Sequence, residues 1–111
     1  MRRTLLIAAL SALVAACATG SGPGRAPASA AERGAQFAWR ACNGCHAVGP
    51  EGGARNGAAP AFRDLRLRFT SLQLERRLAE ISRNGHYEMP PVFISREEAA
   101  DIAAYVESLG G

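Results

Sequence analysis

The stretch Cys42-Asn43-Gly44-Cys45-His46 holds the residue types and spacing in this sequence that could do chemistry. A C-x-x-C-H run is the pattern of covalent c-type haem attachment. Two thiols can add across the two vinyl groups of a haem and become thioethers, and a two-residue spacer lets both sulfurs reach one porphyrin edge. The following histidine, His46, is then held beneath the iron as the proximal imidazole ligand. Asn43 and Gly44 suit a tight bend and place little bulk against a ring. Two other chemistries use such a cysteine pair: a thioredoxin-like redox couple and half of a zinc site. The first needs a β-α-β setting, and no such pattern surrounds the motif. The second needs a fourth ligand, and His86 is the only other histidine.

A second axial ligand has a candidate in the C-terminal half. Gly85-His86-Tyr87-Glu88-Met89-Pro90-Pro91 contains the only methionine apart from the initiator, 43 residues beyond His46. A lone methionine is often core filler, but Met89 stands in a Gly- and Pro-bounded loop between two expected helices, where it could reach the other haem face. Pro90 and Pro91 would stiffen that loop. Met/His ligation leaves no open iron position and raises the potential, which favours electron transfer over catalysis. His86 is the competing ligand.

Three helices are expected to position these residues. Ser29-Ala30-Ala31-Glu32 reads as a capping box, so a helix should start near Ala30 and run into Cys42. Gly34, Phe37, Ala38 and Ala41 give it one apolar face. Gly34 makes no turn there and marks close approach of another helix. Trp39 is expected to be a packing or surface residue. Thr70 or Ser71 should cap a middle helix with Leu74, Leu78 and Ile81 inside, stopped by Asn84-Gly85. Ser95-Arg96-Glu97-Glu98 should open a last helix to Leu109, with Ala99, Ile102, Ala103, Val106 and Leu109 inward and Tyr105 packed across the first helix near Gly34 and Phe37. The Gly-, Ala- and Pro-rich segment from Ala47 to Ala61 has no periodicity and reads as a wrapping loop. A ligating histidine normally donates its second N–H to a carbonyl or carboxylate, and the Pro60 carbonyl is the favoured acceptor over that of Pro50. Leu65, Leu67 and Phe69 alternate with Arg66 and Arg68, which fits an extended segment or one helical turn.

Upstream, Arg2 and Arg3 precede an apolar run from Thr4 to Ala16, too short to span a bilayer comfortably and suited to a secretory signal. It ends in Val14-Ala15-Ala16-Cys17, which resembles the bacterial lipobox, with Cys17 lipidated as the first mature residue. Ordinary cleavage after Ala18 and an uncleaved anchor are the alternatives, and all three export the domain. The expected organisation is a signal over 1–16, a flexible membrane tether over 17–30 and a folded domain over 31–111. The Gly-, Pro- and Ser-containing stretch 18–30 would span about 20 Å as a flexible coil.

The 111 residues include 13 arginines and no lysine, against 10 acidic residues. Without Arg2 and Arg3 the balance is close to neutral, so net charge argues neither for nor against nucleic-acid binding. Arg55, Arg63, Arg66, Arg68, Arg76 and Arg77 crowd the middle of the chain. They read as a solvated face, or as a basic rim that steers acidic redox partners or meets anionic headgroups. Aromatic residues make up 6% of the chain, so a core completed by a bound ligand is expected for a domain this small.

Gly34 and Phe37 before Cys42-Asn43-Gly44-Cys45-His46, then Pro60, then Ile81 and Gly85 before Met89-Pro90, then Tyr105 in a terminal helix, run in one order over about residues 31–109. In this the sequence resembles a class I c-type cytochrome. The resemblance implies an all-α fold wrapped around one covalently attached haem, with the N- and C-terminal helices crossing. It implies Cys42 and Cys45 as haem attachment points, His46 and Met89 as axial iron ligands, and no catalytic residues. The long Gly-rich loop after His46 departs from the tightest patterns of that family. The function expected is that of a low-spin one-electron carrier between periplasmic or membrane redox partners such as a dehydrogenase, oxidase or respiratory complex. It would be exported, held at the membrane by lipid on Cys17, with no nucleic-acid partner. A haem enzyme or gas sensor with an open distal site is the alternative, and a small subunit passing electrons within one fixed complex is a third reading.

Overall fold

The computed structural model describes residues 26–86 and 89–111. The expected signal over 1–16, the lipidation candidate Cys17 and most of the tether lie outside the described residues, as do Tyr87 and Glu88. Four helices follow in order: α1 (Ala30–Ala41), α2 (Phe62–Leu65), α3 (Ser71–Asn84) and α4 (Arg96–Ser108). Among the described residues the only β-type pairing is an isolated bridge between His86 and Met89. The fold is all-α and cytochrome c-like.

The three long helices begin in the same way. Ser29, Thr70 and Ser95 each accept a hydrogen bond at the side-chain oxygen from the N–H three residues on, and Glu32, Gln73 and Glu98 each accept one from the cap's own N–H. Such caps contribute about 1 kcal/mol apiece. They set the first residue of each helix and so fix which face turns inward.

The inward faces close on one cluster. Phe37 and Ala38 of α1, Leu74 and Leu78 of α3, and Ala99, Ile102, Ala103, Tyr105 and Val106 of α4 are buried together with Val48, Phe62 and Ile94. Gly34 is the reason α1 and α4 pack so closely. A Cβ at that position would collide with the Asp101 carbonyl and lie 2.9 Å from the Ile102 nitrogen. Beside this crossing Arg33 grips Asp101 with two charge-assisted hydrogen bonds, Nε to Oδ2 at 2.8 Å and Nη2 to Oδ1 at 2.7 Å. Asp101 is 9% exposed, so its charge faces Arg33 and does not add to an acidic surface.

The segment after Pro60 takes the helical of the two expected forms, with the Arg68 and Phe69 N–H groups both on the Leu65 carbonyl. Phe62–Leu65 is a single helical turn, and Leu67 and Arg66 lie exposed beyond it. Trp39 is a surface residue at 54% exposure. α3 ends as expected on Gly85, whose φ of +63° only glycine adopts without strain.

Gly34→Ala should lower the unfolding free energy of the haem-loaded protein by about 1–3 kcal/mol, the usual cost of overpacking, read from urea denaturation. A second expectation concerns acid. The Ser29 backbone and then its side chain hold the Glu32 carboxyl below its ordinary value of 4.5. The box therefore supports the folded state above that value, and its support disappears as pH falls through the lowered one. Amide protection at the start of α1, corrected for the intrinsic pH dependence of exchange, should fall over that acid window in the native protein and show no such step in Glu32→Gln.

Candidate functional site

The end of α1 delivers the cysteines. Cys42 is the C-cap residue, its N–H bonded to the Ala38 carbonyl at 2.9 Å. The Cys42 carbonyl then accepts from the Cys45 N–H at 3.2 Å and the His46 N–H at 3.0 Å. This tight turn gathers Cys42, Cys45 and His46 into one constellation. Cys42 is buried and Cys45 exposed, and both thiols are free. Burial pushes the Cys42 thiol up to about 11. A site that disfavours the thiolate suits an uncharged sulfur, whether thiol or thioether, and is poor for a zinc-bound or redox-active thiolate. Among the described residues no group of three His, Cys, Asp or Glu side chains gathers to hold a metal ion.

His46 is aimed by its second nitrogen. Nδ1 lies 2.8 Å from the Pro60 carbonyl oxygen. That carbonyl can only accept, so Nδ1 carries the proton and Nε2 keeps its lone pair for a metal. The Pro60 carbonyl is thus the partner, as the sequence leads one to expect, and Pro50 is exposed. Phe62 braces the imidazole edge-on, with ring centroids 5.6 Å apart at 68°. The wrapping loop is closed at its base, where the Phe62 N–H bonds the Ala47 carbonyl at 2.9 Å, and held at its middle, where the Asn56 N–H bonds the Cys45 carbonyl at 3.2 Å. Tyr105 of α4 donates its hydroxyl to the buried Val48 carbonyl at 2.7 Å, tying α4 to the loop just after His46.

Met89 comes from a separate element, the connection between α3 and α4. The His86 N–H donates to the Met89 carbonyl at 3.1 Å and the Met89 N–H to the His86 carbonyl at 2.7 Å. Gly85 sits against this bridge; a Cβ there would lie 2.5 Å from the Met89 carbonyl oxygen and 3.1 Å from Pro91. Met89 and His86 are both half-buried.

Among the described residues, a buried group of Arg63 lacks a protein partner. Arg63 Nη1 is shielded from solvent and has no hydrogen-bond acceptor. A buried guanidinium N–H is costly unless something accepts from it. The two propionate carboxylates of a haem are acceptors of the required charge, and Arg63 follows directly on the Phe62 that braces His46. Together with the free Nε2 lone pair and the neutral Cys42 sulfur, this donor set fits a haem. Among the other arginines of the basic stretch, Arg55, Arg66, Arg68 and Arg76 are exposed, and Arg77 pairs with Glu80 at 2.9 Å.

Sequence reasoning alone did not reach the roles of Phe62, Arg63 and Arg33. Phe62 had one signal, its place two residues after the proline that holds His46. Arg63 had none, since it stands among many arginines.

An all-α fold closing on a C-x-x-C-H turn, its imidazole held at Nδ1, defines a c-type cytochrome. Comparison with known proteins agrees. Residues 29–106 match the family model described as "Cytochrome C oxidase, cbb3-type, subunit III", and the chain belongs to that family. It is also similar to cytochrome c-552 of Bradyrhizobium diazoefficiens, 36% identical over 94 residues that cover 83% of this chain and 86% of that protein. No solved structure matches the chain significantly. The family implies covalently attached haem c, and both matches support a haem c electron carrier.

Tyr105→Phe would leave the buried Val48 carbonyl without its donor. The haem-loaded variant should lose about 1–2 kcal/mol of stability in urea unfolding, with its visible spectrum unchanged.

Proposed function

We propose that this protein is a membrane-tethered one-electron carrier whose single haem c is held by thioethers from Cys42 and Cys45 and ligated by His46 and Met89. A haem bound there supplies reversible one-electron chemistry at iron. The residues do the rest. Cys42 and Cys45 anchor the ring edge through uncharged sulfurs, and the Pro60 carbonyl keeps the His46 imidazole aimed. The loop carrying Met89 would offer a soft thioether as the second ligand to a haem held there, and such a ligand pair suits electron transfer. Arg63 would hold a propionate carboxylate and offset its charge.

The observation that carries this reading is the His46 Nδ1 to Pro60 carbonyl contact, which prepares a histidine within a C-x-x-C-H turn for metal ligation at Nε2. The distal assignment is supported by the backbone bridge that fixes Met89 next to Gly85. For location, the reading rests on the sequence: a secretory signal ending in a lipobox-like Val14-Ala15-Ala16-Cys17, lipid on Cys17, and a tether to residue 30 that keeps the domain on the periplasmic side of a membrane. Among the described residues no helix is long and apolar enough to cross one. The partners proposed are redox proteins of a respiratory chain. The family's name favours a second reading in which the domain passes electrons within an oxidase complex. Both readings use the same axial pair.

Met89→Ala tests the assignment. The haem-loaded variant should lose the ferric Met-sulfur charge-transfer band, fall in reduction potential and bind carbon monoxide rapidly. A variant spectrally identical to the native protein would remove Met89 from the site. For the anchor, mass spectrometry of protein from membranes should find diacylglycerol on Cys17, and Cys17→Ser should release the domain into the soluble fraction.

A further inference from the structure

Met89 can ligate iron only as well as its loop holds it. That loop runs from the last turn of α3 to the cap of α4 and contains Gly85, Pro90 and Pro91, so few of its residues belong to regular structure. Two backbone devices shape its tip: the Gly85 N–H on the Ile81 carbonyl at 2.8 Å, and the reciprocal bridge between His86 and Met89. Neither joins the loop's far end to its start. That join is a side-chain bond. Ser82, in the last turn of α3, accepts the Ile94 N–H at its Oγ at 2.9 Å.

The placement is specific. Ile94 is 7% exposed and precedes the α4 cap residue Ser95. Its N–H lies just outside the helix and so receives no helical acceptor. A serine near a helix end commonly turns its hydroxyl back onto the carbonyl four residues earlier; here the oxygen faces across the loop and accepts. Removing it leaves a buried N–H unsatisfied, which the chain can relieve only by admitting water or by letting the base of the loop spread. Either change loosens the segment that carries Met89.

We propose that Ser82 is a positioning residue for Met89: its hydroxyl closes the base of the ligand loop and holds the thioether sulfur on the iron against competing ligands. The proposal rests on the Met89 assignment above. In a closed site an added ligand must displace the native one, so its apparent affinity falls by the fraction of molecules in which Met89 is away. A clamp worth one hydrogen bond changes that fraction by about three- to tenfold.

The test is imidazole titration of the ferric, haem-loaded full chain, followed together with the Met-sulfur charge-transfer band. Ser82→Ala should bind imidazole about three- to tenfold more tightly and show a weakened band. Ser82→Thr, which keeps the hydroxyl, should return both to native values. Ser108→Ala, which removes a hydroxyl bonded within α4, should change neither. Native imidazole affinity and a native band in Ser82→Ala would overturn the proposal even if its unfolding midpoint fell. So would equal loosening in the Ala and Thr variants. Failure of the Met89 assignment looks different: the native protein would itself lack the band and bind imidazole as tightly as Met89→Ala.

Discussion

The architecture depends on how closely α1 can lie on α4. Gly34 has no side chain, so the α1 backbone settles directly against the Asp101 carbonyl and the Ile102 nitrogen. That contact fixes where α1 ends, and its end is Cys42. It also sets the height of Tyr105 on α4, so that a hydroxyl on one helix meets the Val48 carbonyl two residues after His46. The bidentate Arg33–Asp101 pair resists rotation of the two helices about this point. The haem-binding turn is therefore positioned by a backbone contact about two helical turns before it, not by its own five residues alone.

The second theme is the handling of polar groups around the site. Three residues show it: Cys42, His46 and Arg63. Cys42 is buried where a thiolate is disfavoured, and conversion to a thioether removes the titrating proton altogether. His46 keeps one nitrogen on a protein carbonyl and leaves the other for the iron. Arg63 Nη1 is buried without a protein acceptor.

Much of this was legible in the chain. The three capping boxes at Ser29, Thr70 and Ser95 are local signals, and each helix begins where they stand. The inward stripes of α3 and α4 follow the helical period, and Gly34 inside an apolar face correctly implied a close neighbour. The Pro60 carbonyl is the acceptor for His46, in keeping with a ligating histidine's need for one and with Pro60 standing before Ala61 and Phe62. What escaped the sequence is tertiary. The turn of α2 has no side-chain cap, and the Leu–Arg alternation after it left an extended segment and a helical turn both open. Asp101 reads as one more acidic residue on a charged helix until α1 brings Arg33 to it. Tyr105 was expected against Gly34 and Phe37; it joins that buried cluster, but the acceptor of its hydroxyl lies 57 residues away and leaves no local trace.

The most direct test of the whole account is the optical spectrum of the matured native protein, ferric and ferrous, with and without carbon monoxide. The account predicts a low-spin c-type spectrum, a ferric Met-sulfur charge-transfer band and no prompt change on adding carbon monoxide. A high-spin spectrum, or a rapid shift with carbon monoxide, would contradict the closed His46/Met89 site and bring forward a haem enzyme or sensor.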